Sequence, residues 1–114
     1  MRRVVKITEP EYFEIEFADG TVKKAIFNNM TFLTLVEEYG GVENLQKEAV
    51  EEPFKFSAKL LYTGLKLVDS TITYQEAMSI TLAGGVDLVM GMFEMVNDNM
   101  KKLNVYMGAS SEEE

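Results

Sequence analysis

The side chains of this chain that could carry chemistry are carboxylates, hydroxyls and lysines, because the sequence contains neither histidine nor cysteine. General acid–base work would need paired carboxylates, and Glu14/Glu16 and Glu37/Glu38 qualify by type. Glu14 and Glu16, however, alternate with Phe13, Ile15 and Phe17, which puts both acids on the solvent side of a strand, away from the desolvation that such catalysis uses. The serines and threonines have no imidazole to act as base, and no Gly-x-Ser-x-Gly elbow occurs. Without thiolate or imidazole there is no zinc site of the usual kind. Asn97-Asp98-Asn99 is rich in oxygen but lacks the alternating acids and central glycine of a calcium loop. Gly84-Gly85 and Gly91 are not followed by Gly-Lys-Ser/Thr, so they read as a helix break rather than a phosphate cradle. No catalytic residue, metal ligand or cofactor site is expected, and the chain reads as a non-enzyme.

Two sets of residues remain that could recognise another protein. Lys55, Lys59 and Lys66 form a basic stripe on one helix. Such a stripe can receive an acidic segment of a partner. The alternative is a solvated face, or one paired with the chain's own acidic helix, and that reading is adopted. The second set lies in the last helix, which holds Met90, Met92, Met95, Met100 and Met107 of the eight methionines. Val86, Val89, Phe93, Val96, Met100, Leu103 and Met107 repeat at three-four spacing and are assigned to the core. Beside them run Leu88, Met92, Met95 and Tyr106, an adaptable apolar stripe and the candidate surface for a partner or a second copy.

The elements that must position these residues can be read from the same string. Asp19-Gly20 between alternating runs predicts a two-residue hairpin turn, pairing Phe17 with Val22, Glu16 with Lys23 and Phe13 with Ile26, and leaving Lys24 opposite Ile15. Val4 to Ile7 is a candidate third strand. Asn28 or Asn29 caps a helix carrying Phe32, Leu35, Val36 and Tyr39, which ends at Gly40-Gly41. A short acidic helix over 42–51 precedes Pro53. A third helix from Pro53 to about Val68 is apolar on two opposite sides, Phe54-Ala58-Leu61-Leu65-Val68 and Phe56-Leu60-Leu67, so it belongs at the centre. Thr73 and Glu76 form a capping box for a helix that ends at Gly84-Gly85. The last helix follows over about 86–107. The expected fold is α+β, with an N-terminal hairpin of two or three strands over 1–27 and four or five helices over 28–107. These make one domain, followed by a disordered acidic tail over 108–114.

The sequence has 114 residues and a formal charge of −8, from 19 acidic and 11 basic side chains. The excess is local: residues 37–53 hold six acids against one base and the last seven hold three acids, while the rest is balanced. A net negative surface opposes phosphate backbones, so no nucleic-acid partner is expected. The uncharged stretch Ala77 to Val86 is too short to span a bilayer, and the N-terminus has no hydrophobic signal core, so neither membrane association nor export is expected.

The segment from Pro53 to Leu65, with its Leu60-Leu61-Tyr62-Thr63-Gly64-Leu65 run, is followed by Thr73-Tyr74-Gln75-Glu76-Ala77. With the upstream Asp19-Gly20 turn it resembles the tail assembly chaperones of long-tailed (siphovirus-type) phages and prophages of Gram-positive bacteria. The resemblance spans about Phe13 to Leu103. It implies a non-catalytic protein of the host cytoplasm, absent from the mature virion, that binds and solubilises the tape-measure protein and helps recruit tail-tube subunits. It also implies that a longer, frameshifted product can accompany the short one, and it supplies no site residues to transfer. Two other readings stand beside it: an acidic regulatory or decoy module for a basic protein, drawing on Glu37, Glu38, Glu43, Glu48, Glu51 and Glu52, and a structural head–tail component.

Overall fold

The computed structural model describes residue 4 and residues 11–106, with side chains as far as residue 98. The candidate third strand, apart from an exposed Val4, and the tail over 108–114 lie outside the described residues. The architecture is α+β: an antiparallel hairpin of β1 (Tyr12–Glu16) and β2 (Val22–Ile26), then α1 (Asn29–Glu38), α2 (Val42–Glu51), α3 (Pro53–Val68) and α4 (Tyr74–Tyr106). Because α4 is broken by a non-helical Gly85, it is two helical segments in one element.

The hairpin register differs by one residue from the sequence expectation. Tyr12 pairs with Ile26, Phe13 with Ala25, Glu14 with Lys24, Ile15 with Lys23 and Glu16 with Val22. The turn is the cause. Phe17 N–H donates to the Thr21 carbonyl at 2.8 Å and Gly20 N–H to the Phe17 carbonyl at 2.9 Å, so the loop has three residues, Ala18 to Gly20. Gly20, at φ 92°, takes the left-handed position of that loop type. The Asp19 carboxylate locks it by accepting from the Thr21 N–H at 3.0 Å and the Thr21 hydroxyl at 2.7 Å, which also holds the Asp19 pKa below the usual carboxylate range. A one-residue slip exchanges the faces of a strand. Lys23, Ala25 and Phe27 therefore share the inner side with Phe13, Ile15 and Phe17, while Lys24 meets Glu14 outside.

Each helix starts and stops for a local reason. The Asn28 side chain accepts from the Met30 and Thr31 N–H groups, and the Thr31 hydroxyl accepts from the Asn28 N–H at 3.1 Å, a reciprocal cap on α1. The same device opens α4, where the Glu76 N–H donates to the Thr73 hydroxyl and Glu76 Oε1 accepts from the Thr73 N–H, at 3.1 and 3.0 Å. Between α2 and α3 there is one residue, Glu52. Pro53 disfavours helical geometry in the residue before it, so α2 stops, and the ring then suits the first position of α3. The corner folds α2 back along α3, with Glu48 beside Lys59.

As the two-sided pattern predicts, α3 is central, packing against α4, β2, α2 and α1. Leu60, Leu61 and Leu65 join Phe27, Leu35, Leu45, Ile72, Ala77, Ile80, Leu88 and Met92 in one buried cluster. At Gly64 the hairpin comes close to α3. A Cβ built there would stand 2.5 Å from the Phe27 ring and 3.0 Å from the Ile26 carbonyl oxygen. Phe27 is fully buried and held edge-on by Phe13 at 5.5 Å, so it has little room to retreat. Gly64→Ala should therefore destabilise the chain by about 1–2 kcal/mol despite its better helix propensity, read as a lower urea midpoint at unchanged slope. A rise in midpoint would show that the strand and helix separate easily.

Candidate functional site

The structure relocates most of the candidate interaction stripe. Leu88 is 9% exposed and Met92 0%, so both are core residues and not a free surface. Met95 is half-buried against the same cluster. Tyr106 closes the described helix, and its side chain lies outside the described ones. Conversely Val86, expected inside, is 75% exposed, while Val89, Phe93 and Val96 are half-buried. The reason is rotational. At about 100° per residue, Val86 and Leu88 lie almost opposite each other on the helix. Turning Leu88 and Met92 inward therefore turns Val86 and Met90 out. The break at Gly85 (φ 61°, ψ −148°) resets that rotation, so the stripe does not continue the face of the segment before it.

What the break leaves on the surface is an apolar groove of about 360 Å³ between the start of α3 and both segments of α4. Pro53 and Phe54 form one wall; Leu82, Val86, Val89 and Met90 form the other. Leu82 is 67% and Met90 57% exposed. Two hydroxyl-bearing residues, Thr81 and Ser57, belong to the lining. Thr81 is satisfied by the Ala77 carbonyl at 2.8 Å. Ser57, buried at 1% exposure, has no hydrogen-bond partner among the described residues. An unsatisfied buried hydroxyl costs about 1–3 kcal/mol. Ser57→Ala is therefore expected to raise the stability of the isolated chain by about 1 kcal/mol, seen as a higher urea midpoint. A fall would mean that the hydroxyl is hydrogen-bonded in solution.

Sequence patterning missed this groove because it depends on where the helix breaks and how the second segment is rotated. The retrievable signal was the Gly84-Gly85 pair between apolar turns, which marks the break though not its direction.

The basic stripe is largely engaged by the chain itself. Lys59 reaches both Glu48 carboxylate oxygens, at 2.8 and 2.9 Å, with its ammonium 4.7 Å above the Tyr39 ring centre. Burial first, and then Glu38, raise the Tyr39 phenol pKa above the ordinary value. Lys55 pairs with Glu52 at 3.0 Å, and Lys66 sits 5.4 Å from the Tyr62 ring centre. The acidic face of α2 is thus partly spent on α3. Glu14, Glu16, Glu37 and Glu38 are exposed, and among the described residues no three acids converge on a metal-sized site. One stretch, Tyr74–Asp98, is long and apolar enough by length and composition to cross a membrane, and little of it is buried. It contains the Gly85 break and the exposed acids Asp87 and Glu94.

No family model matches the chain, and no curated protein or solved structure matches it significantly.

Proposed function

We propose that this chain is a non-catalytic tail assembly chaperone of a long-tailed phage or prophage, which binds and solubilises the tape-measure protein and helps recruit tail-tube subunits. The observation that carries the reading is the exposed apolar groove beside α4. A holder of a long helical client needs such an unpartnered apolar face together with a solubilising exterior. The sequence resemblance supports the same role. Its Leu60-Leu61-Tyr62-Thr63-Gly64-Leu65 run lies in the central helix, where Gly64 admits the strand, so the motif reports the scaffold rather than the binding face.

Co-expression with the tape-measure protein of the same phage tests the reading. The chain should keep that protein soluble and co-purify with it, should act in the host cytoplasm, and should be missing from purified particles. An insoluble client in its presence, or the chain's retention in mature particles, refutes the proposal. The decoy reading predicts that partner binding collapses as salt rises, whereas groove binding persists. The pairing of Glu48 with Lys59 and of Glu52 with Lys55 already removes two carboxylates from that decoy face.

A further inference from the structure

We infer that the groove between α3 and the broken α4 docks an amphipathic helix whose flanks are basic. This deepens the proposed function, resting on the groove being its client site, and names the chemistry of the bound segment.

Three observations converge. Leu82, Val86 and Met90 are spaced by four residues, all strongly exposed, and all line one groove. Val86 and Met90 stand one turn apart, about 6 Å along the second segment, and Leu82 adds an anchor from the segment before the break. The surroundings are acidic: Glu51 and Glu52 stand at the corner before Pro53, Asp87 follows Val86, and Glu94 lies one turn beyond Met90, all exposed. Glu51, Asp87 and Glu94 have no ion-pair partner among the described residues, and Lys55, the cation of the first turn of α3, is held by Glu52. Apolar anchors with exposed acids beside them in the chain match an apolar face bordered by lysine or arginine. The third observation is Ser57, a lining residue whose buried hydroxyl has no partner among the described residues. Turned outward by a χ1 rotation, it can be satisfied by one polar side chain set among the occupant's apolar anchors, which would fix its register.

The same charges argue against the other occupants. A second copy would bring two sets of these acids together, and an anionic lipid surface would meet Glu51, Asp87 and Glu94 with like charge.

The test uses the full chain and a fluorescent synthetic helix with a leucine face, one glutamine within that face and lysines on both flanks. Anisotropy titration should give saturable binding, and an analogue with glutamates in place of the lysines should bind roughly tenfold or more weakly. Leu82→Glu, Val86→Glu and Met90→Glu together should weaken binding by at least about tenfold with an unchanged circular dichroism spectrum, because all three positions are exposed. Leu33→Glu, on the exposed side of α1, should leave binding intact. Ser57→Ala should weaken the glutamine-bearing helix and not its all-leucine counterpart.

The inference is overturned by absent binding, by equal affinity for the glutamate analogue, or by a triple variant that binds like wild type. It is also overturned if sedimentation shows a dimer that Val86→Glu dissolves, or if the chain binds phosphatidylcholine–phosphatidylglycerol vesicles through these residues. If the synthetic helix binds as expected while the tape-measure protein stays insoluble, the phage role fails and the groove stands. If the triple variant still holds the tape-measure protein, the role stands and the groove assignment fails.

Discussion

Met92→Glu is expected to abolish folding: the variant should show no cooperative urea transition, while Val86→Glu unfolds within about 0.5 kcal/mol of wild type. The two positions lie in the same apolar stretch, and nothing in their residue types separates them. Their exposure does, at 0% for Met92 and 75% for Val86. Met92 sits between Gly91, over which the Phe13 ring stands, and Phe93, whose ring lies 6.2 Å from that of Phe56. This turn of α4 is therefore wedged between the hairpin and α3. A carboxylate placed there would lose its hydration with no described cation positioned to replace it, a cost far beyond that of an ordinary substitution. Truncation should be milder: Met92→Ala is expected to cost about 2–5 kcal/mol and Met92→Leu less than about 1.5 kcal/mol. If Met92→Glu folds and merely loses a partner, Met92 belongs to an interface as the sequence pattern suggested, and the core described above is wrong at its centre.

Residues whose local signals agree with the tertiary arrangement were legible from the sequence. Asn28, Thr73 with Glu76, and Pro53 each act on backbone groups within a few residues of themselves, so the boundaries they mark appear in the structure. The two apolar sides of α3 were legible because a central helix shows its neighbours in its own composition. The hairpin was legible as an element but not in register. Asp19-Gly20 fits both a two-residue and a three-residue loop, and the choice falls to the Phe17–Thr21 pairing and to the burial of Phe27 under Gly64. In the candidate site the failure was larger. Both apolar stripes of the last helix have acceptable three-four spacing, so periodicity cannot choose which faces inward. That choice is made by the break at residues 84–85, where contacts of the second segment with Phe13 and Phe56 override continuity with the first.

That break supplies the other large effect. Replacing an exposed helical glycine by alanine ordinarily stabilises by roughly 0.5–1 kcal/mol. Here both substitutions should do the opposite, by different mechanisms. Gly85 has nothing within 4 Å of a built Cβ, but its φ of 61° with ψ of −148° is a conformation open essentially to glycine alone, so Gly85→Ala should cost about 1–3 kcal/mol. At Gly84 the obstacle is contact: a Cβ there would lie 2.5 Å from Leu88 Cβ and 2.7 Å from Leu88 Cδ2. Gly84→Ala should also cost about 1–3 kcal/mol. The mechanisms separate in a double-mutant cycle. Leu88→Ala removes the Cδ2 that Gly84→Ala would strike but keeps the Cβ, so that pair should recover part of the Gly84→Ala cost and fall short of the sum, whereas Leu88→Ala and Gly85→Ala should combine nearly additively. A gain in stability from Gly85→Ala would mean that α4 runs straight in solution. The groove depends on this geometry, since Leu82 lies before the break and Val86 and Met90 after it. Gly85→Ala should therefore also weaken the lysine-flanked helix while altering no residue that supplies an apolar anchor. Only a site assembled by the break gives that result, because a flat apolar patch on one helical segment would bind the variant as tightly as wild type.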